Sequence, residues 1–393
     1  MFQLPFLDQF RNVVTYSQID DFADVLSCFA TPSIYLFGAI LISARTYVGS
    51  PIQCWIQQTY SGAWEDYAET YCFLKNTHFV PSTEHIVTGM NSSKSSVKYY
   101  QWSSMYLAVC ALCFILPKLF WKYSQTTSDI PLTYFCETTN EIRKTTTDKR
   151  KDKITEMAKY LKEKLEHNEK YGSIFFNMTT SYFITKMLYI FVALGQFYLV
   201  AVFLGQSEDI LWGFTLLQNL IVGDNWEVTG IFPRITYCSF SIRQQSGDFQ
   251  KHTTQCVLGV NEFNEKIFLF IWYWLVALIA ITIVATLRCF YLMNTNSVVD
   301  SLMIKHRNIN DKIVTRKIRD FSENYLRTNG RIILSYVKME SDIVAQELAL
   351  ELFEDYKEKI KNAFEDIPTN VLVAGDNASE KTVIDDSEVA SEQ

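Results

Sequence analysis

The sequence predicts an all-α integral membrane protein: four transmembrane helices, two disulfide-stapled extracellular loops and helical cytoplasmic regions. Three observations predict this architecture: four charge-free runs of nearly twenty residues, two equally spaced cysteine pairs, and an uneven distribution of lysine and arginine. A hydrocarbon core of about 30 Å requires roughly 20 helical residues, and backbone polar groups in lipid must be satisfied internally. Four such runs with aromatic and basic flanks favour membrane spans over buried helices of a soluble protein.

The charge-free runs divide the chain into nine predicted segments. They lie between Asp24 and Arg45, Lys98 and Lys118, Lys186 and Glu208, and Lys266 and Arg288. The predicted segments are a cytoplasmic amino-terminal segment (1–24), span 1 (25–48), extracellular loop 1 (49–101), span 2 (102–121), a cytoplasmic loop (122–181), span 3 (182–207), extracellular loop 2 (208–266), span 4 (267–290) and a cytoplasmic carboxyl-terminal region (291–393), disordered after about residue 368. The apolar stretch 210–222 is too short to span, which predicts a packed extracellular helix.

The distribution of basic residues predicts the orientation. Lysine and arginine number three between Gly49 and Trp102 and four between Glu208 and Lys266, but eleven between Lys122 and Ser181 and thirteen after Met293. Because cytoplasmic segments carry the excess of positive charge, both termini are expected in the cytosol. The acidic start of the chain is unlike a signal peptide, so the first span is expected to be retained.

The cysteines agree with this orientation. Cys54 and Cys72 lie in one outer loop and Cys238 and Cys256 in the other, each pair with seventeen intervening residues. Disulfides persist on the oxidising side of a membrane, but four cysteines allow three pairings and the sequence does not choose among them. The other five are expected to stay outside disulfides: Cys28, Cys110, Cys113, Cys136 and Cys289. The loops lack closely spaced ligand pairs, so we expect neither a metal nor a cofactor.

The cytoplasmic parts are predicted to be helical. Alternating charge from Glu141 to Lys170 predicts a solvated helix, and eleven basic residues are offset by nine acidic ones between Lys122 and Ser181, so no basic patch for nucleic acid results. Later, five apolar residues follow one helical face: Ile343, Leu348, Leu352, Ile360 and Phe364. The polar, acidic segment from Pro368 is predicted to be disordered.

Several motifs resemble those of the innexins, the gap-junction proteins of invertebrates. They are the segment 49–55 (GSPIQCW) after the first span, Tyr99, Tyr100, Gln101 and Trp102 at the head of the second, and 232–238 (FPRITYC) with Asn261 and 265–267 before the fourth. The resemblance extends from about the first helix to the end of the fourth. Phe73 departs from it, since many relatives have tryptophan there. Without the resemblance, Tyr99, Tyr100 and Trp102 could be interfacial anchors alone.

The resemblance implies a channel. Subunits would form a ring of about eight around an aqueous pore, with homomeric or heteromeric innexin partners, and two rings on adjacent cells would dock to pass ions and small molecules. It also implies nested disulfides, Cys54 with Cys256 and Cys72 with Cys238. No buried charge pairs typical of a coupled transporter occur within the runs, which favours a passive channel.

Two groups of residues are candidates for lining such a pore because of their patterns in the sequence. The amino-terminal apolar residues Phe2, Leu4 and Phe6 fit the cytosolic mouth of a pore, although a segment resting on membrane lipids explains them nearly as well. Glu65, Asp66 and Glu69 predict an acidic helical face near the outer mouth, or a solvated surface helix. Pro32 in the first span is expected to shape the helix by removing one backbone hydrogen bond.

Two other functions stay open on the sequence. An undocked hemichannel releasing small molecules is one, since Asn91 begins a glycosylation acceptor whose glycan would obstruct docking. The other is a non-conducting tetraspan adhesion protein, although the sequence lacks the Cys-Cys-Gly signature of tetraspanins. No catalytic constellation of His, Asp or Ser is present near the membrane, so we expect no enzyme.

Overall fold

The computed structural model describes residues 21–57, 62–80, 96–127, 130–145, 147–171, 177–222, 230–243, 247–305 and 312–365. These residues fall into two compact units, Met1–Ser124 with Ser181–Arg288, and Gln125–Thr180 with Cys289–Gln393. In chain order the elements are α1 (Phe22–Tyr47), β1 (Gln53–Cys54), α2 (Gly62–Lys75), β2 (Thr77–His78), β3 (Ser96–Val97), α3 (Ser103–Cys113), α4 (Leu116–Thr127), α5 (Leu132–Lys144), α6 (Thr147–Tyr171), α7 (Met178–Phe203), α8 (Trp212–Val222), β4 (Ile235–Arg243), β5 (Phe249–Val257), α9 (Gly259–Asn294), α10 (Lys312–Asp320), α11 (Arg327–Glu340) and α12 (Asp342–Glu365).

Within the part of the chain that the structure describes, four helical segments are long and apolar enough to cross a membrane: Phe22–Tyr47, Ser103–Thr126, Met178–Phe203 and Gly259–Leu292. They coincide with the four charge-free runs, so the predicted membrane fold with four helical spans is confirmed. Helix α9 begins several residues before its apolar run, because a helix satisfies its own backbone in water as well as in lipid.

Helix α1 contains a π-helical turn, Leu26–Ala30, which ends two residues before Pro32. Proline has no N–H, and its ring collides with the carbonyl four residues earlier in a regular helix, so a wider turn relieves the clash. The Thr31 hydroxyl donates to Leu26 O at 2.9 Å and accepts from Trp274 Nε1 at 3.0 Å. The interruption is therefore held in place by a side chain of α9.

Helix α8 forms the short apolar helix that the stretch 210–222 predicted. Trp212 is fully buried, and its ring lies 6.4 Å from that of Trp272 on α9. Gly213 permits this contact, since a Cβ atom there would lie 2.4 Å from the Trp272 ring. The Trp272 indole N–H donates to Ile210 O at 3.2 Å.

The two outer loops form a sheet of five antiparallel strands in the order β1-β5-β4-β2-β3, which the sequence analysis did not predict. Its centre is the hairpin of β4 and β5, paired from Ile235 with Val257 to Arg243 with Phe249. Along β4, Thr236, Cys238 and Phe240 are buried and alternate with more exposed residues. That period of two was present in the sequence as a strand signal.

The second unit is a helical bundle in which α6 packs against α12. Ile154, Met157, Ala158 and Leu161 of α6 are buried. The prediction of a solvated helix from Glu141 to Lys170 was therefore wrong in two respects: α5 ends at Lys144, and α6 buries one face. An apolar residue every three or four positions was masked by the high density of charge around it.

Helix α12 confirms the amphipathic helix predicted near the carboxyl end, with a shifted face. Leu348 and Leu352 are fully buried, but Ile343 is 60% exposed and Ile360 37% exposed. Val344, Ala345 and Ala349 complete the buried face instead. Small residues were overlooked as core positions because their apolar area is slight. The predicted disorder after residue 368 lies outside the described residues.

Candidate functional site

Two disulfides join the outer loops to each other. Cys54 of β1 is bonded to Cys256 of β5, and Cys72 of α2 to Cys238 of β4, across 202 and 166 residues of chain. All four cysteines are buried. The nested pairing that the resemblance implied is confirmed, and the remaining five cysteines take part in no disulfide.

The first loop supplies a strand to each side of the hairpin from the second loop. β1 pairs with β5, placing Cys54 opposite Cys256, and β2 pairs with β4 through His78 and Tyr237. Beyond β1, Trp55 N donates to Gln255 O at 2.8 Å, and the Thr254 hydroxyl donates to Trp55 O. Backbone pairing and disulfides therefore fix the same geometry.

Helix α2 carries the three acidic residues predicted to face a pore, but they do not share one environment. Glu65 and Asp66 are exposed, whereas Glu69 is partly buried and its Oε1 accepts a hydrogen bond from Cys54 N at 3.1 Å. Ala68 and Cys72 form the buried side of the helix. Glu69 therefore fastens α2 to β1, and Glu65 and Asp66 remain on the solvent side.

The Glu69 carboxyl group is harder to ionise than an ordinary glutamate. Desolvation is the largest cause and raises its pKa. The hydrogen bond from Cys54 N–H lowers the pKa, and the negative charges of Glu65 and Asp66 raise it further. Three carboxylates on one helix turn make a concentrated negative site.

The Tyr-Tyr-Gln-Trp motif ties the head of the second span to α2. Tyr99 OH donates to Ile231 O at 2.9 Å, and Tyr100 OH donates to Phe73 O at 3.1 Å. Gln101 Nε2 donates to Phe73 O, and to Leu74 O at 3.2 Å. The carbonyl groups of Phe73 and Leu74 belong to the last turn of α2, so they lack hydrogen-bond partners within the helix.

The two tyrosines of the motif are therefore structural residues rather than interfacial anchors alone. Tyr99 is 8% exposed and Tyr100 1% exposed, and only Trp102, at 61%, has the exposure of an anchor. Phe73, the departure from the family pattern, packs against Tyr100 with ring centroids 5.4 Å apart and the two rings tilted by 52°. Phenylalanine therefore keeps the aromatic contact at this position.

A polar cluster fastens the sheet to the start of α9. Arg234 Nη2 lies 3.2 Å from Glu265 Oε2, and Asn261 Nδ2 donates to Pro233 O at 2.8 Å. Asn261 is fully buried and Glu265 nearly so. The motif residues before β4 and at the start of α9 thus meet in space, which explains why they share one family pattern.

Three cysteine sulfur atoms, those of Cys54, Cys72 and Cys256, lie within 4.8 Å of one another. All three are oxidised in disulfides, so they offer no thiolate to a metal. The proximity reflects two adjacent disulfides rather than a zinc site.

One charged cluster was not predicted from the sequence, where Asp24 and Lys186 mark the limits of two apolar runs and Asp21 belongs to the acidic segment before the first run. Lys186 of α7 contacts Asp21 and Asp24 at the start of α1. The sequence signal for this cluster was the presence of opposite charges at the limits of two different apolar runs. Phe2, Leu4, Phe6 and Asn91 lie outside the described residues.

Known proteins are similar in sequence to most of this chain. The innexin family model matches residues 20–356. Innexin-8 of Caenorhabditis elegans is 43% identical over 95% of this chain and 100% of its own length. Innexin-3 of the same organism is 32% identical over 92% of this chain and 90% of its own length. Innexin unc-9, also from that organism, is 31% identical over 88% and 95%.

Proposed function

The chain belongs to the innexin family, and we propose that it assembles into a ring whose outer domains dock with those of a ring on the neighbouring cell. It is a subunit of a gap-junction channel and a multi-pass protein of the plasma membrane. Innexin partners, identical or different, complete the ring. Membership of a channel family supports a role without catalysis.

The observation that carries the docking proposal is the union of both outer loops in one disulfide-linked sheet. Strands from the first loop flank the hairpin of the second, and each loop contributes one cysteine to each bond. A surface held in this way loses little conformational entropy on association. Docking between cells needs such a surface, because the contact must exclude the external medium.

The outer mouth of the pore is assigned to the exposed side of α2. Glu65 and Asp66 face solvent, and Glu69 adds charge from behind them while it holds β1. A ring of subunits repeats these carboxylates around one axis. The repeated negative charge raises the local concentration of cations at the entrance.

The amino-terminal segment is assigned to the cytosolic mouth, with Phe2, Leu4 and Phe6 toward the pore. Its support is the apolar pattern before α1 and the excess of basic residues between spans 2 and 3 and after span 4, which favours cytosolic termini. Cysteine substitution from Phe2 to Phe10 with thiol reagents applied from the cytosol tests this assignment. Conductance that never changes on modification contradicts it.

The ring is assigned about eight subunits, by analogy within the family.

For Asn91 we propose one of two alternatives: either it carries no glycan, or it points away from the docking surface. A sealed contact between two rings excludes a bulky sugar. Glycosidase treatment followed by a gel-shift measurement tests the first alternative. A fully glycosylated protein that opens only to the outside would favour an undocked hemichannel.

Paired-cell electrophysiology with dye transfer tests the proposal as a whole. We expect junctional conductance between cells that express this chain, alone or with a second innexin. The double variant Cys72→Ser with Cys238→Ser removes one disulfide without leaving an odd thiol, and should abolish coupling through a stability loss of about 2–5 kcal/mol.

The matched control is Cys113→Ser, which removes a half-buried thiol of α3 that is not in a disulfide. It should leave coupling close to wild type. Adhesion without current in wild-type pairs would favour the adhesion protein. Membrane current in single cells without coupling would favour the hemichannel.

A further inference from the structure

A buried ion cluster joins the start of α1 to α7. Lys186 Nζ lies 2.7 Å from Asp21 Oδ2 and 2.6 Å from Asp24 Oδ2. Only 2% of the Lys186 side chain is exposed, against 10% for Asp24 and 25% for Asp21. A cation this deeply buried is tolerated only while its partners stay in place, because its desolvation must be offset by close ion pairs.

Aromatic residues enclose the cluster. Tyr182 OH donates to the same oxygen of Asp21 at 3.0 Å, and the Lys186 ammonium lies 5.1 Å from the Tyr182 ring centroid. The ring of Trp121, on α4, lies 5.3 Å from that of Tyr182. Contacts therefore run from the start of the first span through Lys186 and Tyr182 of the third to Trp121 of the second.

The Asp21 side chain does not cap the helix that follows it. It occupies the amino-terminal cap of α1, where an aspartate ordinarily accepts hydrogen bonds from the first backbone N–H groups. Its side chain makes no such bond here. The carboxylate instead accepts from Lys186 and Tyr182, so the distant contact has displaced the capping interaction.

The part of α1 that the cluster holds is separated from the rest of the helix. The first turn, Phe22–Val25, is followed by the π-helical turn Leu26–Ala30 and then by Pro32. Helices bend where π turns and prolines interrupt their hydrogen bonding. The end of α1 can therefore change its direction without moving the longer part, Thr31–Tyr47.

We propose that Lys186 is a positioning residue of the channel, which with Asp21 and Asp24 clamps the first turn of α1 in its conducting position. The clamp fixes the point from which α1 enters the membrane. Its loss frees that turn to pivot at the π turn and lowers the fraction of channels that conduct. The inference depends on the channel function given above, but not on docking.

Charge variants of the clamp test it by paired-cell recording, with current normalised to surface protein. Lys186→Gln and Asp21→Asn should each lower junctional conductance at least about tenfold and alter its voltage dependence, while unitary conductance persists. A tenfold population shift corresponds to about 1.4 kcal/mol. The exchanged variant Asp24→Lys with Lys186→Asp should recover part of the current, since the cluster keeps one ammonium and two carboxylates while the Asp21 carboxylate loses its own partner.

The matched control is Lys266→Gln, which breaks the ion pair of Lys266 with Glu262 on α9. Lys266 Nζ lies 2.8 Å from Glu262 Oε1, and the two side chains are 65% and 50% exposed. It should leave both current and voltage dependence unchanged. If wild-type pairs do not couple at all, docking fails rather than the clamp. The same variants are then compared through the membrane current of single cells.

Three results overturn the proposal. The first is Lys186→Gln or Asp21→Asn protein at the surface with wild-type conductance and voltage dependence. The second is an exchanged variant that reaches the surface without recovering current. The third is failure of both the single and the exchanged variants to reach the surface, which would give the cluster a role in folding alone.

Discussion

At the residue scale, Gln101 shows how one side chain completes a helix end that lies elsewhere in the sequence. Helix α2 ends at Lys75, and Asn76 follows with a φ of +75°, the left-handed conformation common just after a helix. Gln101 Nε2 lies 3.2 Å from both Leu74 O and Asn76 Oδ1. The motif residue thus satisfies groups that α2 leaves open.

Gln101→Ala should destabilise the outer domain. Removing the amide takes one of two donors from Phe73 O and the side-chain donor from Leu74 O and Asn76 Oδ1, at about 0.5–1.5 kcal/mol. Thermal unfolding of the detergent-solubilised protein measures the effect. Gln218→Ala, at an exposed position of α8, is the control and should change the midpoint little. Equal shifts for the two variants would contradict the assigned role.

Glu69 should make stability depend on pH in a defined direction. Its folded pKa is raised above the ordinary carboxyl value, chiefly by desolvation. The contribution of Glu69 to the free energy of unfolding is therefore fully present at acidic pH, below the pKa of this group in the unfolded chain. It is lost as pH rises through the pKa of the group in the folded protein. Glu69→Gln keeps an acceptor for Cys54 N and removes the charge, so it should flatten this fall.

Thermal midpoints of wild type and Glu69→Gln across the acidic to neutral range check the direction. Glu208→Gln, on an exposed loop, serves as the control and should retain the wild-type slope. A steeper fall in the Glu69→Gln protein than in wild type would show that ionisation of this group stabilises the fold.

At the element scale, α6 and α12 are joined by both ion pairs and a buried apolar seam. Lys359 Nζ lies 3.0 Å from Glu166 Oε1, with side chains 59% and 44% exposed. Leu348, in contrast, is fully buried. Exposed ion pairs contribute about 0–1 kcal/mol, whereas truncating a buried leucine costs about 2–5 kcal/mol. The apolar seam therefore decides the stability of this pair.

Leu348→Ala should accordingly loosen the helical unit far more than Lys359→Ala. Limited proteolysis of the full-length protein measures the difference, since cleavage within α6 and α12 requires local opening. We expect much faster cleavage in the leucine variant and near wild-type rates in the lysine variant. The reverse order would mean that the charged contacts hold the two helices together.

At the scale of the whole molecule, the acidic side of α2 should set ion preference. Replacing Glu65 with Gln and Asp66 with Asn removes two exposed charges per subunit. Each charge contributes on the order of 1 kcal/mol to a cation at contact distance in water, so a several-fold loss of cation preference is expected. Reversal potentials in a salt gradient measure it.

Glu262→Gln is the control for this measurement, because Glu262 is already paired with Lys266. It should leave the reversal potential unchanged. An unaltered potential in the double variant would remove α2 from the conducting path and leave the helix as a solvated surface element.

The sequence alone determined the spans, the disulfide-bearing loops and the family. A membrane span is a local property, because lipid requires about 20 apolar residues in one uninterrupted helix. The paired cysteine spacings and the motif at 99–102 are equally local, and they were sufficient to identify the family. Which cysteines bond came from that resemblance, since the spacing itself left three pairings open.

Tertiary structure alone decided which residues work together. The strands of the outer sheet are short at the edges and pair across long stretches of chain, as Cys54 does with Cys256, so no local pattern gives their order. The same holds for Gln101 at the end of α2 and for Lys186 between Asp21 and Asp24. A hydrogen bond or ion pair depends on distance in space, and distance in space is set by how the whole chain packs.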